Sequence, residues 1–289
     1  MIILIGCIIV MGSVLGGFIM GGGYIGALLH ISELIIIGGA ALGALVIMSP
    51  KRVIIDLVKK LVSALKGAPY SKGSYEELFK VLYELFMLGR RNGMIALEEH
   101  VMNPGTSSIF TKYPSFNKNR QAVEFLCNGL RPIIDGKIKP DQLKLVLEME
   151  MSSMEEEHYQ PVNVLTKAAD AMPGFGIVAA VMGIVVTMGA ISGPIEEIGH
   201  KVGTALVGTF LGIFLSYGFM NPLAVNLDFN NASAMAYVRC ISSAIVGFVN
   251  GMAPIMAVEM ARRAIGSDVK PTAEELETML KALSAAAKK

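Results

Sequence analysis

The stretches MPGFGIVAAVMGIVVTMGA (172–190) and VGTALVGTFLGIFLSYGFMNP (202–222) are two apolar runs joined by a short polar link. Each is about 20 residues long, the length an α-helix needs to cross the hydrocarbon core of a bilayer. Pro173 opens the first run and Pro222 closes the second, so both prolines fall at the same end of the hairpin. On the first run Gly176, Ala180, Gly183, Thr187 and Ala190 recur at steps of three or four. On the second, Ala205, Thr209, Gly212 and Ser216 do the same. Each helix therefore carries a stripe of small or hydroxyl side chains opposite a face of Ile, Val, Leu, Met and Phe. Such stripes let backbones approach closely in a bilayer, and their hydroxyls bond across the contact or meet water. Helix packing alone accounts for either stripe taken singly. Two facing stripes with hydroxyls at mid-depth and prolines at one surface point to a lined ion path, with Ala180, Thr187, Thr209 and Ser216 as its candidate residues.

The rest of the chain agrees with a polytopic membrane protein. It has 289 residues, 53% of them hydrophobic and only 17% charged, and a mean hydropathy of +0.56, which argues against a soluble enzyme. A net charge of +1 gives no basic excess for nucleic acid. Cys7, Cys127 and Cys240 are too far apart to show metal-ligand or redox spacing, and the four histidines are dispersed. No phosphate-binding loop, nucleophile elbow or dinucleotide fingerprint occurs. The expectation is a non-enzyme without cofactor or metal.

Four spans organise the chain. Residues 1–49 hold the first two; the first lacks a basic leading segment, so it reads as a span and not a cleaved signal peptide. Glu33 falls at the start of the second span and reads as an interfacial carboxylate at a helix N-terminus. Lys51, Arg52, Lys59, Lys60, Lys66 and Lys72 follow that span. The positive-inside rule then places both chain ends and the large insertion in the cytoplasm, and the 193–200 link outside, with Lys201 a weak counter-signal. Residues 50–168 form the insertion, 169–226 the ion-path hairpin, and 227–289 a C-terminal cytoplasmic helix and tail.

The insertion reads as helical throughout, with no strand alternation. Lys51–Lys66 is a basic amphipathic helix near the lipid surface. Ser74 with Glu77 has the spacing of a capping box opening a helix that runs to Arg90. Gly93 separates it from a second helix ending at Asn103-Pro104-Gly105, and a third spans roughly 118–130. A long helix beginning at Lys139-Pro140-Asp141 is expected to break or bend near Pro161. Pro173 reads as a first-turn proline and Pro222 as a terminator. Beyond it a helix over about 232–265 is expected to kink at Pro254, and the tail from Gly266 to fray.

The segments LFMLGRRNGMIALEEHVMNP (85–104), DAMPGFGIVAAVMG (170–183) and VGTFLGIFLSYGFMNPLA (207–224) resemble the A subunits of the flagellar motor stator, the MotA family, which belongs with the TolQ and ExbB proton-channel subunits. The similarity covers nearly the whole chain. It implies an all-α protein of the bacterial inner membrane, with four transmembrane helices and a helical cytoplasmic lobe, that couples proton flow to torque. It places rotor-contact charges at Arg90 and Glu98 and the coupling prolines at Pro173 and Pro222. It further implies a pentamer around a dimer of a single-span, MotB-like subunit that carries the essential aspartate and a peptidoglycan-binding domain, working against a FliG-like rotor protein. The alternative is an energising subunit of TolQ or ExbB type, which would have three spans. A secondary transporter would need repeated spans with a midplane polar site, and neither is present.

Overall fold

The computed structural model describes residues 2–189 and 191–286. Ala190 of the small-residue stripe lies outside the described residues. No strand occurs among those described. In chain order the helices are α1 (Ile2–Met20), α2 (Ile31–Met48), α3 (Lys51–Ala64), α4 (Lys72–Asn92), α5 (Glu98–Met102), α6 (Pro114–Lys118), α7 (Arg120–Ile134), α8 (Pro140–Met188), α9 (Ile195–Leu215), α10 (Asn221–Val249), α11 (Pro254–Arg263) and α12 (Ala273–Ala286). A π turn, Ser216–Met220, joins α9 to α10. Four stretches are long and apolar enough to cross a membrane: Ile2–Met20, Ile25–Met48, and one each within Pro140–Met188 and Ile195–Val249.

Contacts divide the chain into two units, Met1–Gly67 with Glu157–Asn230 and Ala68–Glu156 with Asn231–Lys289. The first unit has two small interiors. In one, Ile37 and Ala41 of α2 meet Met172 and Ala179 of α8 and Val207 and Leu211 of α9. In the other, Leu57 and Ala64 of α3 meet Val162 and Leu165 of α8 and Ala224 and Leu227 of α10. Protein covers Val53, Leu57 and Ala64 of α3, while Ile55, Val58 and Val62 stay exposed together with Lys51, Arg52 and Lys59. Helix α1 buries no residue at all. Ile2, Ile8 and Met20 on it, and Ile177, Val181 and Val185 on α8, are exposed, the composition expected of surfaces meeting lipid or other subunits.

The second unit has an ordinary hydrophobic core. Leu78, Phe79, Leu82 and Phe86 of α4 pack with Phe125 and Leu126 of α7, Ile241 and Ile245 of α10, and Val258 of α11. Phe86 stacks on Phe248 at 4.3 Å and Tyr70 on Tyr237 at 4.2 Å between ring centroids, adding to the apolar burial.

Several sequence expectations are corrected. The cap of α4 is Ser71, whose hydroxyl accepts from the Ser74 N–H, with the Ser74 side chain accepting from the Ser71 N–H. Glu77 instead accepts from the N–H groups of Ser115 and Phe116, at 2.7 and 3.2 Å, and so satisfies free donors in the first turn of α6. Helix α8 passes through Pro161 and Pro173 without a break. Pro173 lies deep inside it, where its ring offers no N–H to the Ala169 carbonyl. Pro222 does not end a helix either; it is the second residue of α10. The ring of a helical proline collides with the carbonyl four residues back, here that of Gly218, inside the π turn, where the backbone widens. Pro254 opens α11 after a turn and does not kink a continuing helix. The tail is not frayed over α12. Leu276 and Leu280 are buried, Lys72 pairs with Glu275 at 2.8 Å, and Thr272 and Glu275 form a reciprocal capping box.

In α11 the carboxylate of Glu259 accepts from Arg262 at 2.7 Å and from Arg263 at 3.0 Å. The Arg262 guanidinium hydrogen-bonded to it holds its carboxyl down at about 2. An unfolded glutamate titrates near about 4.3, so this stabilisation is complete above that pH and is lost as the pH falls toward about 2. Glu259→Gln is expected to destabilise the protein at neutral pH by about 1.5–3 kcal/mol, as for hydrogen bonds to charged groups. The gap from wild type should close on acidification, as read by thermal unfolding of the solubilised protein across pH.

Candidate functional site

The hairpin of α8 and α9 is built on backbone contact. A Cβ on Gly212 would lie 2.7 Å from the Met172 carbonyl oxygen and 2.9 Å from Gly176 Cα. One on Gly176 would lie 2.8 Å from the Gly208 carbonyl oxygen, and one on Gly183 would lie 2.8 Å from Ala205 Cβ. No side chain larger than hydrogen fits at these points without parting the helices. Gly176, Gly183, Ala205 and Gly212 of the predicted stripes are thus packing residues.

The four candidate ion-path residues fare differently. Ala180 is buried in the same contact, its backbone nitrogen 3.3 Å from where a Gly208 Cβ would sit. Thr187 is 1% exposed and donates its hydroxyl proton to the Gly183 carbonyl at 2.8 Å, which satisfies it within its own helix. Thr209 is half-buried, and its hydroxyl has no hydrogen-bond partner among the described residues. Ser216 is fully buried at the start of the π turn.

Sequence reasoning missed Asn221. Its side-chain amide donates to Asp170 Oδ1 at 3.3 Å and approaches Ser216 Oγ at 3.4 Å. It ties the Pro173 end of α8 to the Pro222 end of the α9–α10 segment. The signal was present, a polar residue beside a proline at the end of an apolar run, but it read as a span boundary. Glu33 was misplaced: it is 4% exposed, and a Cβ on Gly208 would sit 2.9 Å from its Oε2. It faces the hairpin, not an aqueous interface.

Arg90 and Glu98 lie in the second unit, apart from the ion-path residues in the chain's division. Arg90 is in the last turn of α4 and Glu98 opens α5, both exposed. Gly93, at φ +85°, closes α4 between them in a conformation other residues rarely adopt. Neither side chain has an ion-pair partner among the described residues, so both remain available to another molecule. Among the described residues no group of three or more His, Cys, Asp or Glu could hold a metal ion.

Comparison with known proteins agrees with this architecture. Residues 4–93 match the motility protein A N-terminal family, and residues 117–238 match the MotA/TolQ/ExbB proton channel family. Motility protein A of Salmonella typhimurium is 37% identical over 283 residues, covering 98% of this chain and 96% of the relative. Chemotaxis protein LafT of Vibrio parahaemolyticus is 34% identical over 276 residues, covering 96% and 97%. The chain in the flagellar MotAB stator complex of Bacillus subtilis superposes with a TM-score of 0.70 at 25% identity, over 89% of this chain and 92% of that one. The C. jejuni MotAB structure shares the fold, with a TM-score of 0.74 at 22% identity over 92% and 96%. Four apolar helices, a glycine-packed hairpin and a helical lobe define a membrane subunit of the MotA/TolQ/ExbB class, a channel-type protein and not an enzyme. Within that class the chain belongs to the motility protein A family, the A subunits of flagellar motor stators.

Replacing Asn221 by Ala removes the link to Asp170 and Ser216. The expected cost is about 1 kcal/mol, as for a neutral intramolecular hydrogen bond, read as a lowered melting temperature of the solubilised protein. Asn221→Asp should cost more, because it sets a second carboxylate against Asp170.

Proposed function

We propose that this chain is the A subunit of a stator unit that passes protons across the bacterial inner membrane and converts their passage into torque on the flagellar rotor. The observation that carries this reading is the near full-length match to motility protein A. The N-terminal match over 4–93 favours it over a TolQ or ExbB role, which the broader family alone would allow. A proton relay needs a group that holds and releases a proton, and Thr187, Thr209 and Ser216 cannot do so near neutral pH. The essential carboxylate is supplied by a single-span, MotB-like partner packed against the α8–α9 hairpin, a reading supported by the B. subtilis relative having been solved as a MotAB complex. The assembly is a pentamer of this chain around a dimer of that partner.

Protons are the coupling ion. A sodium path replaces the hydration shell with several oxygen ligands, and Ala180 offers none at the centre of the stripe. Each charge crossing 100 mV releases roughly 2.3 kcal/mol. Neutralising the partner's carboxylate beside Thr209 changes its fit there, and Pro173 and Pro222, tied through Asn221, transmit that change. Arg90 and Glu98 on the cytoplasmic lobe engage complementary charges on a FliG-like rotor protein. The insertion and both termini are cytoplasmic, by the basic residues that follow α2.

The test is proton flux into vesicles holding this chain alone, then with its single-span partner, then with the partner's carboxylate changed to Asn. Flux is expected only in the second case. Robust flux from this chain alone, or motility that tracks external sodium at constant proton-motive force, would overturn the reading. Reversing the charge of Arg90 or Glu98 should reduce swimming torque and leave vesicle flux intact.

A further inference from the structure

Two buried side-chain atoms at the start of α2 have no partner among the described residues: Nδ1 of His30 and Oε2 of Glu33. Thr204 links His30 to α9. Thr204 donates its single hydroxyl proton to the His200 carbonyl at 3.0 Å. While that bond stands, its oxygen, 3.1 Å from His30 Nε2, accepts from that nitrogen. A neutral His30 then carries its proton on Nε2, and its buried Nδ1 is a bare lone pair. Glu33, three residues on and 4% exposed, presents Oε2 to Gly208 beside Ala179 and Ala180. Buried polar atoms are nearly always paired, and two unfilled acceptors in one turn match a site that proton binding completes.

We propose that His30 and Glu33 form a proton-entry site on this subunit, behind the Gly208 face of the ion-path hairpin. This rests on the proton-channel reading above. A hydronium on the outer side gives its proton to His30 Nδ1, forming an N–H bond and leaving water. The imidazolium passes one proton to the Glu33 carboxylate, forming O–H and restoring neutral His30. Glu33 then releases it inward to water on the way to the partner's carboxylate, so one proton enters and one leaves. The facing groups are few. α9 presents Thr204, Gly208 and His200, whose ring lies 6.4 Å from that of His30. Its Lys201 is paired with Glu197 at 2.9 Å. At this contact α8 presents Ala179 and Ala180, and α1 has no ionisable side chain but Cys7.

The experiment uses the full complex of this chain with its single-span partner in vesicles, and reads two signals. The first is the infrared C=O band of a protonated carboxyl as external pH is changed. It should persist when the partner's carboxylate is changed to Asn and vanish in Glu33→Gln. The second is proton flux against external pH. Glu33→Gln and His30→Gln should lower it several-fold at alkaline external pH and less on acidification, with Glu33→Asp restoring part of it. An infrared band unchanged in Glu33→Gln, or a flux profile superimposing on wild type, would overturn the assignment. If the wild-type complex carried no proton flux, the channel reading would fail, and the infrared band would still decide whether Glu33 binds a proton.

Discussion

The membrane unit depends on how closely α8 and α9 approach. Lipid tails are as apolar as leucine, so no hydrophobic gain drives two membrane helices together, and contact rests on van der Waals packing and hydrogen bonds. Gly176 and Gly212 supply that packing by bringing backbone against backbone, where a single Cβ would intrude to within 2.8 and 2.7 Å of a carbonyl oxygen on the facing helix. The rest of the unit follows from this seam. Ile37 and Ala41 of α2 complete it from one side. Thr187, shut in above it, must satisfy its hydroxyl on its own helix. Thr209, whose Cα lies 3.3 Å from where a Gly176 Cβ would sit, borders the seam with its side chain half-buried.

The second unit obeys different physics. Its interior of Phe79, Phe86, Phe125 and their neighbours is held by burial of apolar surface from water. That leaves its polar surface free for other uses. Arg90 and Glu98 make no ion pair among the described residues, and surface pairs would have contributed little to stability in any case. Their availability is bought by the core beneath them, where Gly89 packs against Phe248 and Leu97 at 3.0 and 3.1 Å from a would-be Cβ.

Much of this was legible in the residues, and the exceptions have physical causes. Spans, stripes and an all-helical lobe follow from length, spacing and composition, which are local. The prolines misled because rules drawn from helices in water end or start a helix at proline. A membrane helix tolerates Pro173 in its interior because its surroundings can take up the freed carbonyl. Ser74 and Glu77 have capping-box spacing, yet Ser71 wins the cap and Glu77 is taken by the first turn of α6, a competition no single stretch reveals. The Thr272–Glu275 box is legible in the residues, yet nearness to the chain end argues for fraying there, and the burial of Leu276 and Leu280 outweighs it. Among the candidate residues, periodicity singles out Ala180 and Thr209, whereas Arg90 and Glu98 stand out only by resemblance. Glu33 was seen and misjudged, because a carboxylate in a first turn is ordinarily wet, and only the glycine at position 208 makes room to bury it.

The π turn over Ser216–Met220 has a mechanical meaning. An α-helix holds no spare chain; every residue is committed to its rise and its turn. A π turn holds one residue of slack. Drawing that residue into regular α geometry would advance the register by one and swing the following faces, Pro222, Ala224 and Leu227 among them, through about 100°. Movement at this junction would then come in a discrete step one residue in size, a click and not a flexing, with the buried Ser216 as its detent.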